Sequence, residues 1–126
     1  LNCLDSSFWI EYFSGDEQAK LVLPLMRDPA KIIVPSICLV EVGRFLIQQH
    51  GEELAQEDLR AMEQSQLMPL EAAIAGQAVR LGLKHKLAMA DSIIYATARA
   101  MDAILWTLDR DFEGLPHVKY FPKKQK

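Results

Sequence analysis

Short apolar runs alternate along this chain with segments long enough to be helices, and that alternation leaves few folds open. Lys31-Ile32-Ile33-Val34, a β-branched run ended by Pro35, reads as a strand, as does Ala103-Ile104-Leu105-Trp106 after Asp102. Leu1-Asn2-Cys3-Leu4 reads as a strand ending in Asp5, Gln66-Leu67-Met68 as a weaker one closed by Pro69, and 117–121 as the last. Helical spacing covers 8–13, a second helix capped by Gly15 or Asp16 and running to Leu25, 37–49 capped by Ser36, 52–64, 71–83 and 90–101. Within 52–64, Leu54, Leu59 and Met62 are expected to face inward. Lys84-His85-Lys86 is expected to form a basic link, and 107–112 a loop or short helix. Strands separated by helices through short links predict an α/β fold, a parallel sheet with helices on both faces.

The 126 residues are expected to form one domain over 1–126, large enough to bury a core without disulfides or a structural metal. Residues 122–126, with Lys123, Lys124 and Lys126, read as a frayed basic tail. The net charge of −3 gives no overall basic signature, which weakens a nucleic-acid role without removing it, because a local basic rim acts over a Debye length. Cys3 and Cys38 stand in apolar surroundings and are not spaced as a zinc or redox pair, as expected of buried thiols in a reducing compartment. The chain opens on Leu1 and not on methionine, as a processed, unusual or trimmed start would. A secretory leader pattern and an apolar run of membrane-spanning length are both missing, so a cytoplasmic location is expected.

Carboxylates carry the chemistry. Glu41 lies in Ile37-Cys38-Leu39-Val40-Glu41-Val42, and helical spacing places it with Ile37, Cys38 and Phe45. An acid there must be paired, hydrogen-bonded, protonated or metal-bound, because burying it bare costs too much. A salt bridge to Arg44 is the plain alternative. Asp91, near the start of a helix, and Asp5, just before one, each read first as N-caps when taken alone. Asp109, after the strand ending in Trp106, could cap a short helix. Together, however, Asp5 and Asp109 end strands that should point to one sheet edge, and Glu41 and Asp91 lie in or near the first turns of helices that should begin there. Converging carboxylates repel unless cations neutralise them. Oxygen ligands without His or Cys select hard cations, Mg²⁺ or Mn²⁺, and one or two such ions activate water and clamp a phosphate, paired ions standing roughly 4 Å apart.

Leu4-Asp5-Ser6-Ser7, Leu39-Val40-Glu41-Val42, Ala90-Asp91-Ser92-Ile93-Ile94-Tyr95-Ala96-Thr97-Ala98 and Thr107-Leu108-Asp109-Arg110-Asp111-Phe112 resemble the PIN domain, and in detail the VapC group of toxin ribonucleases. No single motif is specific; four in register are, and the likeness covers nearly the whole chain. The resemblance implies an α/β/α sandwich around a central parallel sheet of about five short strands. It implies a Mg²⁺- or Mn²⁺-dependent endoribonuclease with Asp5, Glu41, Asp91 and Asp109 as metal-holding and catalytic acids. Ser6 and Thr107 match supporting hydroxyl positions, and Asp111 a more variable acidic position, again supporting. The implied role is toxin of a toxin–antitoxin pair, with RNA as substrate, a VapB-like antitoxin as partner, and a homodimer as assembly. In that family an antitoxin segment fills an apolar groove and blocks the site with a basic side chain; Trp9, Phe13 and Phe45, with Tyr12 and Leu46 near them, are the candidates here. Phe8 is expected in the core. Lys84, Lys86 and Arg110, joined by the basic tail, are candidates to hold RNA phosphates. His85 is expected to be exposed.

Other readings differ in what they require. A receiver-type phosphoacceptor domain needs paired acids after the first strand, an acceptor Asp after the third and a Lys after the last; Asp5 has no acidic neighbour, and Pro69 closes the third strand. A PIN nuclease of RNA processing, without a toxin role, shares every motif, but one small domain leaves nothing for recruitment. A binding module without catalysis leaves the acids unexplained.

Overall fold

A computed structural model describes residues 1–124; Lys126, part of the expected basic tail, lies outside the described residues. Strand β1 (Asn2–Leu4) leads into α1 (Ser6–Ser14), and three 3₁₀ turns (Glu17–Leu21, Leu25–Arg27, Pro29–Lys31) reach β2 (Ile32–Pro35). Then come α2 (Ser36–His50), α3 (Glu52–Glu63), β3 (Gln66–Met68), α4 (Ala72–His85) and α5 (Met89–Ala100). Strand β4 (Ile104–Thr107), a 3₁₀ turn (Arg110–Phe112) and β5 (Val118–Tyr120) complete the order.

All five strands are parallel, in the order β3-β2-β1-β4-β5. β1 is central, with Cys3 opposite Ile33 on one side and Leu105 on the other. Successive residues Cys3 and Leu4, and Ile32, Ile33 and Val34, are all buried, which is what a parallel sheet covered by helices on both faces requires. The chain builds outward from β1 through β2 and β3, then crosses back to build the other way through β4 and β5. The carboxyl ends of β1 and β4 therefore flank a topological switch point, where open α/β sheets hold ligands. A receiver domain of the 2-1-3-4-5 order is excluded by this arrangement.

Several expectations give way to local chemistry. The helix expected to reach Leu25 is instead a pair of 3₁₀ turns, because Pro24 has no N–H to donate and its ring clashes with the carbonyl four residues back in an α-helix. Ser36 is the first residue of α2 and not its cap; Pro35 holds that place, and no side chain caps the end. Ala55 and Met62 are buried with Leu59 partly so, whereas Leu54 is 56% exposed, since one helical step turns it about 100° from that stripe. Lys84 and His85 are the last turn of α4, which Lys86 ends in the left-handed region at φ 56°, so the basic link is a helix terminus. The tail is not frayed as far as Lys124: buried Gln18 donates to the Pro122 carbonyl at 2.9 Å and accepts the Lys124 N–H at 3.0 Å. Among the described residues no helix is long and apolar enough to cross a membrane.

Candidate metal centre

The register of β1 against β4 sets the site. Leu4 lies opposite Trp106, and the Asp5 N–H donates to the Trp106 carbonyl at 3.0 Å, so Asp5 and Thr107 leave the sheet side by side. Asp5 occupies the N-cap position of α1, yet its side chain caps nothing. Its Oδ2 accepts the Ser7 hydroxyl at 2.8 Å and the Thr107 hydroxyl at 2.9 Å. Those hydroxyls accept backbone N–H groups in turn, Leu108 onto Ser7 at 3.1 Å and Asp109 onto Thr107 at 2.9 Å. Asp109 does cap, its Oδ1 accepting the Asp111 N–H at 2.9 Å. Asp91 is the third residue of α5 and not its cap, a position Ala88 takes. Glu41, half-buried on α2, accepts the Ser6 hydroxyl at 2.7 Å. Arg44 is exposed and makes no ion pair with it among the described residues.

The acids feel one another. Burial pushes the Asp5 carboxyl above its usual range, the Ser7 and Thr107 hydrogen bonds pull it back, and Glu41 and Asp109 raise it further. Asp91 is pushed to about 7, by burial first and then by Asp109, Asp5, Glu41 and Asp111. Asp91, Asp109 and Asp111 each offer an oxygen within 4.8 Å of the others. Asp111, expected only in support, thus stands with Asp91 and Asp109 while remaining exposed, whereas Asp5 and Glu41 lie outside that group of three. No lysine or arginine pairs with any of the five acids among the described residues. An uncompensated, oxygen-only set at a switch point fits a hard divalent cation.

The family model described as PIN domain matches residues 3–118. The chain belongs to the PIN domain family. A chain of a toxin–antitoxin complex from Klebsiella pneumoniae superposes with a TM-score of 0.81 at 28% identity, over 94% of this chain and 96% of that one. VapC20 of Mycobacterium tuberculosis, described as a sarcin–ricin-loop-cleaving toxin, gives 0.74 at 18% identity, over 92% and 95%. A chain of DNA-bound VapBC from Salmonella typhimurium gives 0.73 at 17%, over 95% and 96%. At the two lower identities the likeness speaks for the fold. No curated protein sequence matches the chain.

The remaining candidates of this PIN domain divide by exposure. Trp9 is only 2% exposed and stacks on Phe13 with ring centroids 5.7 Å apart, so it belongs to the core and not to a groove wall. Phe8 is core as expected. Phe13 and Phe45 do line a surface cleft of about 350 Å³, with Ser14, Asp16, Gln49 and His50. Lys84, Lys86 and Arg110 are exposed, and Arg110 follows Asp109 directly. His85 is half-buried and not free in solvent, its ring edge-on to Tyr95 at 5.7 Å. Cys3 and Cys38 are buried free thiols, both pushed up in pKa by burial first. Ser7 is the site residue that sequence reading missed as a participant. Its signal was the second hydroxyl after Asp5, but its role exists only once β4 lies beside β1.

Proposed function

We propose that this PIN domain is a VapC-type toxin, a Mg²⁺- or Mn²⁺-dependent endoribonuclease acting in the cytoplasm under the control of a VapB-like antitoxin. The observation that carries the reading is the set of uncompensated acids at the β1–β4 switch point. The named toxin and toxin–antitoxin structures that share the fold support it.

Asp5, Glu41, Asp91 and Asp109 would hold the cation, and Asp111 offers an oxygen within 4.8 Å of those of Asp91 and Asp109. A bound Mg²⁺ or Mn²⁺ supplies Lewis acidity, acidifying water near neutral pH and neutralising charge at the phosphodiester. Ser6 and Thr107 fix the orientation of Glu41 and Asp5. Lys84, Lys86 and Arg110 draw in the phosphates flanking the scissile bond. Hydrolysis by water leaves 5′-phosphate and 3′-hydroxyl ends and does not use the 2′-hydroxyl. The Phe13–Phe45 cleft receives the apolar part of an antitoxin segment, whose basic side chain meets the acids. Leu83 and Met89, 78% and 81% exposed, offer an apolar face for a homodimer.

The test is cleavage of a mixed RNA pool, stripped of any bound partner, with Mg²⁺, with EDTA and with Asp5→Asn. Metal-dependent cuts, lost in the variant and bearing 5′-phosphates, are expected. Ends bearing 2′,3′-cyclic phosphate, or cutting that survives EDTA, would overturn the mechanism. Expression without the antitoxin arrests growth; normal growth would leave a nuclease and remove the toxin role.

A further inference from the structure

The geometry points to Ser7 as the positioning residue that leaves a single oxygen of Asp5, Oδ1, to hold the metal. This rests on the metal-centre reading above and goes beyond the acids that reading names. Ser7 sits in the first turn of α1, half-buried, with its hydroxyl between two elements. The Leu108 N–H donates to Ser7 Oγ at 3.1 Å, so the hydroxyl proton must point away from Leu108. It points at Asp5 Oδ2, 2.8 Å away.

Thr107 repeats the arrangement from β4. Its Oγ1 accepts the Asp109 N–H at 2.9 Å and donates to the same Asp5 Oδ2 at 2.9 Å. Two hydroxyls, each polarised by a backbone N–H of the loop leaving β4, therefore hold one carboxylate oxygen. A carboxylate oxygen offers about two acceptor directions, and both on Oδ2 are used. Oδ1 takes no hydrogen bond among the described residues. Asp5 is thus a one-oxygen ligand with its rotamer fixed before any cation arrives. Ser7 has a second effect that Thr107 lacks. It ties α1 to Leu108, and so sets the distance between the residue before Asp109 and the acid that ends β1.

Partners that orient metal ligands typically change affinity by about 10- to 100-fold when removed. The decisive measurement is the Mn²⁺ dissociation constant, read by electron paramagnetic resonance of the free ion, for the full chain and for Ser7→Ala and Ser7→Thr. Binding at least about tenfold weaker in Ser7→Ala and restored in Ser7→Thr is expected. The half-saturating metal for cleavage should rise in parallel, with the KM for RNA unchanged. Wild-type affinity in a folded Ser7→Ala, or no recovery in a folded Ser7→Thr, overturns the assignment. Should Ser7→Ala melt early, Ser7→Cys adds only slightly to the volume and weakens the donor; undiminished Mn²⁺ binding there overturns it equally. A wild-type chain that binds no Mn²⁺ overturns the metal centre itself, a result separable from the other two.

Discussion

The Ser6 hydroxyl donates to Glu41 Oε1 at 2.7 Å, joining the first residue of α1 to the sixth residue of α2 across 35 positions of sequence. Glu41 stands on a helix flank among apolar neighbours, and this bond, not an ion pair with Arg44, satisfies it. Ser6→Ala should cost about 1 kcal/mol of stability, the net worth of such a bond, and lower metal-dependent cleavage by letting Glu41 swing. Chemical denaturation and initial cleavage rates check both halves. Full activity in Ser6→Ala would show that Glu41 is held by its helix alone.

The raised pKa of Asp91 makes the metal-free protein sensitive to pH in a definite direction. An unfolded Asp titrates near about 3.9, whereas folded Asp91 titrates at about 7. The folded chain therefore binds this proton more tightly, and the stabilisation it brings is complete below about 4 and lost as pH rises through about 7. Thermal melts in EDTA should show Asp91→Asn gaining on wild type steadily between pH 4 and 7 and holding that gain above. Saturating Mg²⁺ should reverse the ranking at pH 8. A difference between the two proteins that does not vary with pH would contradict the cluster.

Trp9 and Phe45 should separate folding from partner binding. Buried Trp9 fills core volume, so Trp9→Ala should cost roughly 3–5 kcal/mol and reduce every activity together. Phe45→Ala lies on the cleft, and should weaken an antitoxin segment by about tenfold or more while RNA cleavage continues. Calorimetric titration with the segment and a cleavage assay on the same preparation read the two apart.

Gly82 is a packing requirement at the back of the site. A Cβ there would strike Ser92 Oγ and lie 3.0 Å from Ser92 Cβ. Ser92 is buried, follows Asp91 and donates to the Ala88 carbonyl at 2.8 Å. Gly82→Ala should therefore destabilise by about 1–3 kcal/mol despite alanine's better helix propensity, and push α5 together with Asp91. Gly82→Ala combined with Ser92→Ala should recover most of the loss, a coupling that a double-mutant cycle measures.

The sheet was legible because its inner strands β1 and β2 are buried and carry their apolar residues in runs. Gln66-Leu67-Met68 stood out less, since β3 is an edge strand with two exposed residues. Asp5, Glu41, Asp91 and Asp109 were legible as acids placed against strand ends and helix starts. Within the candidate site, what was missed depended on a partner distant in sequence, since Ser7 gains its role from Leu108. Elsewhere the misses were local: Pro24 stops the second helix, and one helical step turns Leu54 out of the buried stripe. Asp111 looked peripheral because its approach to Asp91 and Asp109 exists only in three dimensions.

The bond between Asp5 and Thr107 spans 102 positions, so the first acid of the chain waits for nearly the last strand. Translation delivers residues from the amino end, and β1 emerges long before β4 can lie beside it. A polypeptide released between Asp91 and Thr107 carries Asp5, Glu41 and Asp91 but lacks both the hydroxyl and the full strand that bring Asp5 into register. In such a fragment Asp5 Oδ2 has no Thr107 hydroxyl to hold it, and that bond forms only once synthesis has passed β4.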